Sequence, residues 1–84
     1  MTEQDAILWG EEEARMTISA YHADIADGYS DLDAIRVMLS RRNNAACYID
    51  VPRAWRAYRD ALLAEFPWMA EYAAAEVAAF RLEG

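Results

Sequence analysis

The 84-residue chain has no lysine, one cysteine, two prolines, three glycines and no apolar run long enough to span a membrane. Each shortage excludes something. A single cysteine, Cys47, can close no internal disulfide, so no covalent scaffold holds this small fold. Without some 18 consecutive apolar residues, no segment is expected to cross a bilayer. No basic stretch followed by an apolar run opens the sequence, so no signal peptide is expected and the expected location is the cytoplasm. β-Branched residues are few, which argues against a sandwich or barrel.

Alanine is the commonest residue, and 56% of the chain is hydrophobic. That composition forms helices and a core, and it is not that of a disordered acidic tail. The length fits a single helical domain, residues 1–84. A chain this short can build one small core, but a deep, walled catalytic pocket in addition would be difficult. All eight basic residues are arginine, which offers a rigid two-pronged fork where lysine offers a point charge.

The pattern predicts an all-α fold, a compact bundle of about four helices. Thr2 and Asp5 form a capping box that opens a first helix, read from about Gln4 to Ala26. Ile7, Ala14, Ile18, Tyr21 and Ile25 mark its apolar stripe, and Gly10 is its weak point, at about 1 kcal/mol relative to alanine. Gly28 suits the left-handed position that closes a helix. Ser30 and Asp33 open a second helix carrying Leu32, Ile35, Val37, Met38 and Leu39. Asp31 and Asp33 lie at its positive end and Arg41 and Arg42 at its negative end, with Asn43 and Asn44 as the stop. Residues 45–50 read as a connector, Asp50 as the cap of a third helix, and Val51, Trp55, Tyr58 and Leu62 as that helix's inward face. Pro67 ends it. A fourth helix, apolar nearly all round, starts at Pro67 or Trp68 and runs to about Leu82. Short connections favour antiparallel neighbours.

Charge is segregated along the chain. Residues 1–33 carry nine acids and one arginine, residues 34–59 six arginines and one acid, and residues 60–84 five acids and one arginine, for an overall −7. The acidic surface is expected from Glu11, Glu12 and Glu13 with Asp24, Asp27, Asp31 and Asp33. It reads either as a solvated face or as a dock for a basic protein, its carboxylates meeting arginines and lysines that otherwise hold a phosphate backbone. For the arginines, chiefly Arg53, Arg56 and Arg59, internal pairing with the acidic first helix is favoured over phosphate binding, because a charge of −7 opposes attraction to nucleic acid. Trp68 is the candidate apolar anchor, shared between core and interface.

The residues that carry most chemistry are nearly absent. His22 and Cys47 are single copies with no third group to orient them. The spacing of Asp24, Asp27, Asp31 and Asp33 fails the EF-hand pattern, no spacing suits zinc, and no glycine-rich loop cradles a phosphate. No metal, cofactor or enzymatic activity is expected. A helix-turn-helix over Asp31–Phe66 would need a connector of about nine residues where three or four are usual.

Two resemblances follow. The stretch Arg59-Asp60-Ala61-Leu62-Leu63-Ala64-Glu65-Phe66-Pro67-Trp68, with the spacing of Trp55, Tyr58 and Arg59, resembles a segment of phage tail assembly chaperones, although Pro67 stands where aspartate is typical. It implies an assembly role through the apolar terminal helix. In size, acidity and helical composition the chain is similar to phage-encoded inhibitors of bacterial defence of the anti-CRISPR type, which share no motif. That resemblance implies a small non-enzymatic inhibitor that sterically blocks a nucleic-acid-binding effector complex inside the bacterial host cell. Its partner would be the basic surface of that protein or nucleoprotein, with no direct binding of nucleic acid and no membrane. A homodimer through the last helix is a further expectation.

Overall fold

The computed structural model describes residues 1–71. Three helices fill most of that span: α1 (Glu3–Ala26), α2 (Asp31–Tyr48) and α3 (Pro52–Glu65). Residues 69–71 are again helical. The fold is an all-α helical bundle, as the composition predicts. The rest of the fourth helix expected from the sequence, with any dimerisation through it, falls outside the described residues.

The caps show why the helices start where they do. The Thr2 hydroxyl accepts from the Asp5 amide at 3.1 Å, and the Asp5 carboxylate accepts from the Thr2 amide at 3.4 Å. This is the predicted capping box, two otherwise orphaned donors satisfied reciprocally. At the other end Gly28 has φ +98°. The Gly28 amide donates to the Ile25 carbonyl and the Tyr29 amide to that of Asp24, both at 3.1 Å. These two bonds make the Schellman closure that a left-handed glycine permits. Ser30 then opens α2 by accepting from the Asp33 amide at 3.2 Å.

Two boundaries differ from the sequence reading. Asn43 and Asn44 do not stop α2, which continues through residues 45–48 to Tyr48. Ala45 is buried and Ile49 is 4% exposed, so packing carries the helix past two weak formers. Arg41 and Arg42 therefore lie within the helix and not in its last turn. Asp50 does not cap α3 either. Val51 holds the cap position without a side-chain bond, and Pro52 starts the helix, where its missing N–H has no consequence. α3 ends at Glu65, with Phe66 as its cap and Pro67 next, as the proline requires.

α1 is the common wall of the bundle, packed on α2 and more extensively on α3. It runs antiparallel to α2, since Asp24 meets Arg41 and Glu13 meets Tyr48. It runs parallel to α3, since Arg53 pairs with Glu3 and His22 lies 3.9 Å from Glu65. An up–down–up path puts the first and third helices in the same direction, so the main contact is not between chain neighbours.

The buried face of α1 is Ala6, Gly10, Ala14 and Thr17. Of the predicted stripe, Ala14 is at its centre, Ile18 and Tyr21 flank it, and Ile25 is 36% exposed. Gly10 is no weak point. A Cβ built there would collide with the Ala54 carbonyl oxygen and stand 2.9 Å from both Ala57 Cβ and the Tyr58 amide nitrogen. Small residues on α1 thus let α3 approach backbone to backbone. The larger core residues come from the other elements: Met38, Tyr58, Leu62 and Met69 are fully enclosed, with Ile49 and Phe66 beside them. Trp55, predicted inside, is half-buried and stacks on Tyr58 with ring centroids 5.4 Å apart.

One polar chain runs through this core. Thr17 donates to the Glu13 carbonyl at 3.2 Å, which leaves its oxygen to accept from the Tyr58 hydroxyl at 2.9 Å. Burial pushes the Tyr58 hydroxyl above the usual tyrosine range.

Candidate functional site

The acidic residues fall into two groups that the structure separates. Consecutive residues on a helix point about 100° apart, so Glu11, Glu12 and Glu13 cannot share a face. Glu11 is exposed on the α3 side of α1. Glu12 pairs with Arg15 on the outer surface. Glu13 faces α2, where it accepts from the Tyr48 hydroxyl at 2.9 Å. Burial, then that bond, raises the Tyr48 hydroxyl above the usual tyrosine range. The triplet is distributed over three surfaces and builds no acidic array.

Asp24 is likewise committed inside the bundle. It accepts from Arg41 at 2.8 Å, and its side chain is 13% exposed. The favoured reading of the arginines therefore holds for Arg41 and Arg53, each paired with an acid of α1, while Arg15 pairs within α1 itself. Arg36, Arg56 and Arg59 form no ion pair among the described residues.

Asp27, Asp31 and Asp33 remain along the α1–α2 turn, with Asp31 and Asp33 about 200° apart around the start of α2. They flank the α1–α2 turn, all exposed, with no ion pair among the described residues. Arg36, one turn beyond Asp33, forms none with it. Between these acids stand Tyr29 and Leu32, 48% and 51% exposed. Leu32 is the first apolar residue of α2, but the buried residues of that helix are Ala34, Met38 and Ala45. The Schellman closure and the Ser30 cap fix the turn between two helix ends, so this tip is a rigid mount carrying three carboxylates and two apolar groups. An alternation of acid and apolar residues across a predicted turn was the sequence signal for it.

The position of each carboxylate in the helix fields is informative. Asp31 and Asp33 occupy the first turn of α2, where the helix dipole favours them. Asp27 caps the C-terminus of α1, the negative end, and the last turn of α1 holds no basic residue. Arg41 compensates Asp24 across the helix interface, but among the described residues no ion pair compensates Asp27.

Trp68 is half-buried against the core, its ring centroid 5.5 Å from that of Phe66, and Met69 beyond it is 2% exposed. Phe66 in turn packs edge-on against Tyr21 of α1 at 5.0 Å. Much of the Trp68 surface thus closes the end of the bundle, far from the α1 residues Glu11 and Glu12 with which the sequence groups it.

A second feature lies along α1 and α3, a groove of about 550 Å³. Its floor includes Ile7, Ile18, Ala57 and Ala61, each half-buried. Glu11 and Arg15 stand on its α1 wall, and Arg53, Arg56 and Asp60 on its α3 wall.

His22 and Cys47 are not brought together. The register of α1 on α2 puts Cys47 near the level of residue 15, roughly 11 Å along the axis from His22. Cys47 is exposed and bonds back to the Asn43 carbonyl at 3.5 Å. Among the described residues no group of three or more His, Cys, Asp and Glu is gathered to hold a metal, and no helix is long and apolar enough to cross a membrane. Comparison with protein-family models, curated proteins and solved structures returns no match for this chain.

Proposed function

We propose that this protein is a small non-enzymatic inhibitor that binds the basic surface of a nucleic-acid-handling complex and blocks it sterically. The binding surface is the α1–α2 tip. The observation that carries the reading is the set Asp27, Asp31 and Asp33, without ion pairs among the described residues, around exposed Tyr29 and Leu32. Carboxylates supply steering and complementarity to arginine and lysine sites that hold a phosphate backbone. The tyrosine and leucine supply apolar area, which charge alone does not give. Asp27 supports the same reading, because a carboxylate kept at the negative end of a helix lowers stability.

The test is capture from a bacterial lysate with the tagged chain, eluted by a salt gradient, beside a variant carrying Asp27→Asn, Asp31→Asn and Asp33→Asn. The expected result is a nucleic-acid-binding complex that is released at moderate salt, is absent with the variant, and loses its nucleic acid when the purified protein is added. Capture that survives both high salt and the triple substitution would refute the reading. If the retained proteins were phage structural proteins, the assembly role through the terminal helix would replace it.

A further inference from the structure

We propose that the α1–α3 groove is where a second copy of this chain docks, the two copies meeting face to face about a two-fold axis that runs along the groove. The charges on its two walls lead to this. α1 and α3 are parallel, with their register fixed by Glu3 against Arg53 at one end and His22 against Glu65 at the other. Between those points Arg15 comes level with Asp60, and Glu11 lies within one helical turn of Arg56. The α1 wall therefore reads acid then base, and the α3 wall at the same levels reads base then acid. Yet Glu11, Arg56 and Asp60 make no ion pair among the described residues, and Arg15 forms its ion pair with Glu12, its neighbour on the outer surface, with a weaker attraction from Glu11 on its own wall. Among the described residues the opposite signs line the two walls of the groove without pairing across it.

A two-fold axis along the groove pairs them. It sets the α1 wall of each copy against the α3 wall of the other at the same level. Glu11 then meets the partner's Arg56, Arg15 meets the partner's Asp60, and each contact occurs twice, as an isologous interface demands. The half-buried floors, Ile7 and Ile18 with Ala57 and Ala61, meet in the middle as two helix pairs do in a four-helix bundle. From Ile7 to Ile18 the floor is about 16 Å long, and two adjacent helices are roughly 20 Å across, giving about 300 Å² per copy. A stable interface buries about 800 Å² per partner, so this dimer is weak and needs concentrated protein. It leaves the α1–α2 tip uncovered and is independent of the function proposed for it.

Sedimentation equilibrium of the whole chain up to about 1 mM is the first measurement, since a patch this small gives dissociation constants nearer millimolar than nanomolar. A reversible monomer–dimer equilibrium is expected. Glu11→Arg and Arg56→Glu should each weaken it by ~10-fold or more, because each creates two like-charge contacts. An equal mixture of the two variants should recover the dimer. In the mixed pair, the introduced arginine faces the introduced glutamate, and Arg56 of the first copy faces the other's natural Glu11. Helical circular dichroism verifies that both variants, on exposed positions, remain folded, and Glu11→Gln with Arg56→Gln gives the neutral comparison. A chain that stays monomeric throughout, a dimer indifferent to both reversals, or a mixture no better than either variant alone overturns the proposal.

Discussion

Replacing Gly10 by alanine should destabilise this protein, although the same change on an ordinary helix surface stabilises it. Two effects of opposite sign compete. Alanine gains about 1 kcal/mol over glycine in a helix interior, through lower backbone entropy in the unfolded chain and better helix propensity. Against this, the new Cβ would overlap the Ala54 carbonyl oxygen and stand 2.9 Å from Ala57 Cβ and the Tyr58 amide nitrogen. Two of those three atoms are backbone, so no rotamer change relieves the contact and the helices must move apart. Forcing one extra methyl into a packed interior costs about 1–3 kcal/mol, and a collision with backbone belongs at the top of that range. Separation would also loosen the bond between Thr17 and Tyr58 one helical step away. The balance is about 2 kcal/mol of lost stability, roughly 8–16 °C in Tm for a domain of this size. Urea denaturation followed by circular dichroism measures it. Ser19→Ala, on the exposed outer face of the same helix, is the control and should change stability by less than about 0.5 kcal/mol. A rise in Tm for Gly10→Ala would refute the close approach of α1 and α3 and return Gly10 to a mere flaw in the helix.

The polar chain in the core gives an asymmetric pair of predictions. Tyr58→Phe leaves Thr17 still donating to the Glu13 carbonyl and should cost about 1 kcal/mol. Thr17→Val leaves the buried Tyr58 hydroxyl without an acceptor and should cost about 2 kcal/mol, with urea midpoints deciding the order. Tyr48 and Tyr58 both hold their protons more tightly folded than unfolded, so the folded state binds more protons on the alkaline side. Stability should be intact below the usual tyrosine value of 10.0 and fall as pH rises above it, and Tyr58→Phe should flatten that fall. Asp24→Asn breaks a pair whose acid is 13% exposed and should cost about 1.5 kcal/mol. Glu3→Gln breaks the more exposed pair with Arg53 and should cost about 0.5 kcal/mol at most, and thermal melts at low and high salt separate the two. Asp27→Asn should raise stability by about 0.5 kcal/mol while weakening capture of the partner, a combination that a purely structural residue would not show.

The helix starts were legible because their chemistry is local. Thr2 with Asp5, Ser30 with Asp33, and Gly28 each act within a few residues. The end of α2 was not legible, because Asn43 and Asn44 are poor helix formers whose preference is overridden by the burial of Ala45 and Ile49 against other elements. The buried face of α1 overlaps the apolar stripe at Ala14 but is displaced from it for a related reason. The interface with α3 selects small residues, so Ala6 and Gly10 are buried beside Ala14 while Ile25 of the stripe is 36% exposed. Of the candidate site, the helical angle alone was enough to divide Glu11, Glu12 and Glu13. The commitment of Asp24 to Arg41 depends on how two helices align, which no spacing within either one reveals.

That division narrows where a charge of −7 can act on a partner. Ion pairs within the bundle neutralise Glu3, Glu12 and Asp24 with three of the arginines, and Glu13 is tied to Tyr48. The segregation seen along the sequence is thus partly cancelled in space, and an argument from the count of acids overstates the field over most of the α1 surface. It overstates the field least at the tip, where exposed Asp27, Asp31 and Asp33 flank one turn with no ion pair among the described residues. Exposed apolar residues elsewhere, such as Leu8 and Met16, stand on the outer face of α1 and need no partner to explain them. Tyr29 and Leu32 differ because they share a fixed turn with the uncancelled carboxylates. A partner that presents cations around an apolar depression would satisfy both at once. At this tip a bare phosphate or another acidic surface would satisfy neither.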